Sequence, residues 1–197
     1  TITDDSGSNI VDGGSGNDNL TSRSLSGDHT LRGGDGIDSL RATGKKVTLD
    51  GGSGNDYIWA YGYITREGST SYLEEGEAIV KGGLESDWIT ISDYFKADID
   101  GGAGSDYITN ILNSGDVLVR GENDNDNIRS ERNLNNELYG GLGDDSIYIY
   151  GTTNIVFDTN IRNIVDKNNN NILDEISINY IDGGEGDDNL TFRGAGN

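Results

Sequence analysis

The sequence has no cysteine, no proline, no methionine and one histidine, and it sets 14 Lys or Arg against 35 Asp or Glu. Without Cys there is no disulfide, no thiolate nucleophile and no thiolate metal site, so the chain is indifferent to redox compartment. A lone His29 cannot supply the imidazoles that zinc or copper prefers. The formal charge of −21 repels nucleic acid and anionic membrane surfaces and attracts cations. No apolar run approaches the ~18 residues of a membrane-spanning helix, and no basic-then-apolar leader opens the chain. The missing Met leads us to expect a piece of a longer protein. Large aliphatics are also scarce: Leu, Ile, Val and Phe number 14, 21, 7 and 3 of 197 residues. That share sits just above the ~20% below which high charge implies disorder, so any core must be thin and in need of help.

What is plentiful is glycine, 31 residues, and it recurs in a pattern. Gly13-Gly14-Ser15-Gly16-Asn17-Asp18-Asn19-Leu20 returns as Gly51-Gly52-Ser53-Gly54-Asn55-Asp56-Tyr57-Ile58 and as Gly101-Gly102-Ala103-Gly104-Ser105-Asp106-Tyr107-Ile108. Copies begin at 13, 33, 51, 82, 101, 121, 140 and 183, in steps of 20, 18, 31, 19, 20, 19 and 43. A step of 18 to 20 residues suits one coil of a narrow parallel β-solenoid, two short strands and two turns. Two positions after each motif Asp stand Leu20, Leu40, Ile58, Ile89, Ile108, Ile128, Ile147 and Leu190; two before each first Gly stand Val11, Leu31, Leu49, Val80, Ile99, Val119, Leu138 and Ile181. Stacked coil on coil, they predict two aliphatic columns facing each other at the period-2 inward positions. The fold class expected is therefore all-β: a right-handed parallel β-roll or β-helix of about eight coils, one domain over 1–197, with insertions at about 60–78 and 150–180. The array is expected to continue beyond this segment.

Glycines of this kind let the backbone take positive φ and turn carbonyl oxygens toward one point, and the following Asp adds a carboxylate. An oxygen-only donor set suits a hard cation such as Ca²⁺. The motif resembles the nonapeptide repeat of the RTX, or hemolysin-type, calcium-binding proteins, over nearly the whole chain. The resemblance implies Ca²⁺ between stacked turns, held by backbone carbonyls of the first four motif positions and by the Asp of each turn. The metal ligands so implied are Gly13, Gly14, Ser15, Gly16 and Asp18 in the first turn, then Gly33, Gly34, Asp35, Gly36 and Asp38. They continue with Gly51, Gly52, Ser53, Gly54 and Asp56, with Gly82, Gly83, Leu84 and Asp87, and with Gly101, Gly102, Ala103, Gly104 and Asp106. Gly121, Asn123, Asp124 and Asp126 follow, then Gly140, Gly141, Leu142, Gly143 and Asp145, and finally Gly183, Gly184, Glu185, Gly186 and Asp188.

The copies recur about every 19 residues rather than every nine, so the implied ladder runs along one edge only, with at most about seven ions. Glu85 and Asp124 stand where the fourth-position Gly belongs and Glu122 where the second does, and weak or absent binding is expected at those turns. Without metal the row of aspartates repels itself and a thin core cannot offset the entropy of ordering so many glycines, so calcium binding is expected to be folding free energy. The resemblance further implies a secreted or cell-surface location, export by a type I channel, a non-enzymatic role, and a parent such as an adhesin, toxin or exoenzyme.

Tyr57, Trp59, Tyr61 and Tyr63 alternate with Ile58, and Trp88 and Tyr107 share the motif position of Tyr57. An outward aromatic ladder is expected, either a carbohydrate- or surface-binding platform, a contact for neighbouring domains, or a patch covered by the chain's own inserted loop. Residues 166–174, rich in Asp and Asn, resemble an EF-hand loop lacking its Gly and terminal Glu; a separate Ca²⁺ site and a solvated loop both remain open. His29 is expected to be an exposed or half-buried structural residue. No regular Thr or Asn row supports ice binding, and no basic groove supports a β-helical lyase acting on acidic polysaccharide.

Overall fold

Alternation of inward aliphatic and outward polar residues builds strands that are mostly five or eight residues long, and the Gly-Gly motif bends the chain between them. The computed structural model describes residues 1–4, 7–66, 69–72, 75–111, 113, 115–132, 135–150, 156–157 and 180–193. In chain order the strands are β1 (Ile2–Asp4), β2 (Asn9–Ser15), β3 (Asn19–Arg23), β4 (Asp28–Asp35), β5 (Ser39–Thr43), β6 (Lys46–Ser53) and β7 (Tyr57–Tyr61). A hairpin, β8 (Tyr63–Arg66) and β9 (Ser69–Tyr72), interrupts them before β10 (Glu77–Leu84), β11 (Trp88–Ser92), β12 (Lys96–Ala103) and β13 (Tyr107–Ile111). The rest are β14 (Asp116–Asn123), β15 (Asn127–Glu131), β16 (Asn135–Leu142), β17 (Ser146–Tyr150), β18 (Val156–Phe157), β19 (Tyr180–Glu185) and β20 (Asn189–Arg193).

Apart from the antiparallel pair β8-β9, they form two parallel sheets, β1-β3-β5-β7-β11-β13-β15-β17-β20 and β18-β19-β16-β14-β12-β10-β6-β4-β2. The chain is thus an all-β parallel solenoid. Register is strict: Gly52 pairs with Gly83 and Gly83 with Gly102 in one sheet, and Ile58 with Ile89 and Ile89 with Ile108 in the other. Both aliphatic columns lie inside as the sequence predicts, buried throughout except at the end positions Val11 and Leu190, which are partly buried. Each such side chain contributes roughly 1.5–3 kcal/mol by leaving water.

Like residues in a parallel in-register stack would place like charges side by side, and the outer face of the second sheet avoids this. Its row one position before the first Gly runs Asp12, Arg32, Asp50, Lys81, Asp100, Arg120, each paired with the next. A second row alternates Asp28, Lys46, Glu77, Lys96, with Lys46 3.2 Å and Lys96 3.7 Å from Glu77. Each exposed pair is worth little, but the alternation removes the cross-strand repulsion that any other order would bring. Sequence reasoning missed it, although aligning the coils on their glycines would have found it.

His29 differs from expectation. It is 1% exposed, with Nδ1 2.9 Å from Ser22 Oγ and Nε2 3.2 Å from the Ser24 carbonyl. A carbonyl only accepts, so Nε2 donates to it and Nδ1 accepts from the Ser22 hydroxyl, which in turn accepts from Asn9 Nδ2 at 2.8 Å. The side chain fits because His29 occupies an inward position of β4, paired with Asn9 and Val47. The EF-hand-like segment 166–174 lies outside the described residues.

Candidate metal centre

The turn from β12 to β13 shows how the motif works. Period-2 alternation points Ile99 and Gly101 inward, the turn follows, and Asp106 and Ile108 point inward again. Gly102 and Gly104 have φ of 107° and 114°, which L side chains rarely adopt. Gly101 does not have positive φ; it is glycine for a different reason. A methyl there would overlap Asp106 Oδ2 and stand 2.9 Å from the Gly121 carbonyl oxygen. The same overlap recurs at Gly33, Gly51, Gly82, Gly121 and Gly140, each with the carboxylate of its own turn and the first-glycine carbonyl of the next coil. Positive φ therefore explains the second and fourth positions, whereas the first clears a cradle into which a carboxylate oxygen and a backbone carbonyl converge.

The aspartates form a continuous ladder. The Asp18 amide donates to Asp38 Oδ1 at 2.7 Å, Asp38 to Asp56 at 2.7 Å, Asp56 to Asp87 at 2.7 Å and Asp87 to Asp106 at 2.8 Å. It continues from Asp106 to Asp126 at 2.8 Å, Asp126 to Asp145 at 2.8 Å and Asp145 to Asp188 at 2.9 Å. Asp38, Asp56, Asp87, Asp106, Asp126 and Asp145 are buried, and Asp18 and Asp188 at the ends are half-buried. One oxygen of each buried carboxylate is thus used.

The other is not. Oδ2 of Asp38, Asp56, Asp87, Asp106, Asp126 and Asp145 is buried without a hydrogen-bond partner. An ionised carboxylate so placed carries a desolvation cost that only a cation or a proton can relieve. Burial first, then neighbouring carboxylates, pushes Asp87 and Asp126 up to about 8 and Asp56, Asp106 and Asp145 up to about 6; Asp38 is raised for the same reasons. No group of three His, Asp or Glu side chains among the described residues converges on one point, so any metal site here is completed by backbone carbonyls. One carboxylate oxygen beside carbonyl oxygens, with neither imidazole nor thiolate, fits a hard divalent cation such as Ca²⁺.

The turns expected to be defective keep the geometry. Glu85, Glu122 and Asp124 take φ of 67°, 81° and 72°, the conformation of the glycines they replace, and Asp87 and Asp126 stay in the ladder. Glu85 and Asp124 add charge that helps raise Asp87 and Asp126. Left-handed backbone costs a non-glycine residue roughly 1–2 kcal/mol, and the exposed Glu122 pair with Arg120 at 3.5 Å returns little. Glu122→Gly is therefore expected to raise the thermal midpoint in saturating calcium by several degrees; a midpoint that falls would show that the pair with Arg120 outweighs the strain.

A second ladder, at the fifth motif position, was missed from the sequence. Asn17 Oδ1 accepts from the Ile37 amide at 3.0 Å, Asn55 Oδ1 from Ser86 at 3.0 Å, Ser86 Oγ from Ser105 at 3.1 Å, and Asn125 Oδ1 from Asp144 at 2.9 Å. Of the third-position residues, Leu84 and Leu142 are exposed and face away from the cradle. The third-position carbonyls of Asp35, Ser53 and Glu185 accept the amides of Gly16, Gly36 and Gly143 from the preceding coil.

The family model of the RTX calcium-binding nonapeptide repeat matches in four copies, over residues 1–23, 32–62 and 133–148. No curated protein and no solved structure matches the chain. Residues 1–23, 32–62 and 133–148 are thus similar to RTX calcium-binding repeats, and turns outside those spans, such as Gly101 to Asp106, share the same ladder.

Proposed function

We propose that this chain, a carrier of RTX calcium-binding repeats, is a structural module of a protein exported from a bacterial cell, folded and stiffened by calcium outside it. The observation that carries the reading is the column of six buried Asp Oδ2 atoms without partners, Asp38 to Asp145, each beside the first glycine of its own turn, where the first-glycine carbonyl of the next coil also approaches. Bound Ca²⁺ would supply the positive charge that this column lacks. Asp18, Asp38, Asp56, Asp87, Asp106, Asp126, Asp145 and Asp188 would hold it together with carbonyls of the motif glycines, about seven ions in all. Seven ions would bring the charge from −21 to about −7. The role is load-bearing or spacing rather than catalytic, 1–197 acts as one domain, and an adhesin, toxin or exoenzyme exported by a type I channel is the kind of parent it suits.

Calcium titration followed by far-ultraviolet circular dichroism tests this. A cooperative coil-to-β transition at micromolar to millimolar Ca²⁺, absent with Mg²⁺, is the expected result, since Mg²⁺ demands a smaller octahedral shell and sheds water reluctantly. A chain equally folded in chelator and in calcium at pH 8 would overturn it.

A further inference from the structure

The outer face of the first sheet is unlike the rest of the molecule. Tyr57, Trp88 and Tyr107 stand in register on adjacent strands, with Tyr57 and Trp88 46% and 47% exposed and the Trp88 and Tyr107 rings 4.4 Å apart. Elsewhere in that column the fold is content with Asn19, Ser39, Asn127, Ser146 and Asn189, so the aromatic rings are not demanded by the strands. Trp59 lies stacked beside Tyr57, 6.1 Å between ring centres.

Charge is segregated as well. In a chain with 35 acidic residues, the outward positions of β3, β5, β7, β11, β13, β15 and β17 contain no Asp and a single Glu, Glu131, which pairs with Arg129. They do contain Arg23, Arg41 and Arg129, with the Arg41 guanidinium 5.2 Å over Tyr61 and that of Arg129 5.2 Å over Tyr150. The remaining outward positions are mostly Thr, Ser and Asn, of which Asn19 is exposed and Ser39, Thr90, Asn127 and Ser146 are half-buried, and Ile111 is the aliphatic exception.

We propose that this face binds an anionic glycan, a chain of sugar rings bearing carboxylate or sulfate groups. Pyranose rings present C–H faces that pack on Tyr and Trp, hydroxyls find Thr, Ser and Asn, and Arg guanidinium takes carboxylate or sulfate in bidentate fashion. Charge complementarity selects an anionic occupant for a face whose outward arginines outnumber its single Glu. The buried core of a protein interface is more apolar than a face on which the aromatic rings stand among Thr, Ser and Asn. A second copy brings another −21 or the same basic face, and the dense phosphates of nucleic acid meet the acidic remainder of the molecule.

The inference rests on the calcium-folded solenoid, so the test reads fold and ligand separately. In saturating calcium, hyaluronan and chondroitin sulfate hexasaccharides are titrated against tryptophan fluorescence, with cellohexaose and a single-stranded oligonucleotide as comparators. Trp88→Ser and Arg41→Ser are titrated in parallel, with circular dichroism to follow the fold. Serine already stands in the Trp88 column at Ser39 and Ser146, and the small hydroxyl residue Thr21 pairs with Arg41. Quenching by the charged hexasaccharides, weakened at least tenfold in both variants whose calcium-induced dichroism is unchanged, is the expected result. No response to either charged glycan by the folded wild type, equal response to cellohexaose, preference for the oligonucleotide, or undiminished binding by both variants would overturn the proposal. Failure of the calcium transition itself would instead sink the folding role.

Discussion

Acidifying the calcium-free protein from pH 8 to pH 5 is expected to increase its β-sheet dichroism, in a chain that acid would ordinarily destabilise. Asp87 and Asp126 are pushed up to about 8, and Asp56, Asp106 and Asp145 up to about 6, by burial and then by each other's charge. In the unfolded chain these groups have the ordinary carboxyl value of 3.8. A group with a raised folded-state value stabilises the fold fully below its unfolded value, and that contribution is lost as pH rises through about 6 and then about 8. The displacement at Asp87 alone is of the order of 5 kcal/mol, comparable with the whole stability of a small domain. A proton thus does part of what calcium is proposed to do, and the two compete: the calcium midpoint should move to higher concentration as pH falls, with protons released on binding. Dichroism in chelator at the two pH values, with a calcium titration at each, reads both effects. Equal disorder at pH 5 and pH 8 would show that the buried carboxylates do not limit the fold.

Gly51→Ala is expected to raise the calcium midpoint at least tenfold and to lower the thermal midpoint in calcium markedly. The added methyl overlaps both Asp56 Oδ2 and the Gly82 carbonyl oxygen. Asp56 cannot swing aside, because its Oδ1 is held by the Asp38 amide at 2.7 Å, and the carbonyl belongs to a paired strand. Overpacking of this kind costs about 1–3 kcal/mol and occasionally more, and here it also fills the space where the two oxygens converge. Gly16→Ala is the comparison: its methyl meets nothing, and only the left-handed backbone, at φ 100°, opposes it. Asp56→Asn separates charge from shape. It should weaken calcium binding as Gly51→Ala does, yet make the metal-free chain fold more readily at pH 8, because a buried negative charge has been removed. Circular dichroism of the three variants in calcium and in chelator checks the pattern; a Gly51→Ala protein no worse than Gly16→Ala would refute the cradle.

Much of this was legible before any coordinates. The repeat fixes which residues face inward, because a period-2 strand bounded by the same turn every 18 to 20 residues leaves one choice for Leu49, Val80 and Ile99, or for Ile58, Ile89 and Ile108. The Asp of the motif was legible as the charged member of the site. His29 was misjudged because its burial depends on the Ser22 and Asn9 side chains beside it, neither of which is marked by local pattern. The Tyr57, Trp88 and Tyr107 ladder was legible from the motif, but the two alternating charge rows and the arginines on the aromatic face went unread because they exist only across coils, between residues as distant as Arg41 and Arg129.

The amino-acid sequence by itself determined the parallel β-solenoid, its aliphatic columns and a row of carboxylates along one edge, since composition and spacing permit little else. Only the tertiary structure decided what the three motif glycines each do, because positive φ and a missing Cβ look identical as a letter. It alone decided that each of the six buried motif aspartates accepts, through one oxygen, the Asp amide of the preceding coil and leaves the other oxygen buried and unpartnered. That bond joins Asp145 to Asp188 across 43 residues as readily as Asp38 to Asp56 across 18, because it depends on where the coils stack and not on how far apart the residues lie along the chain.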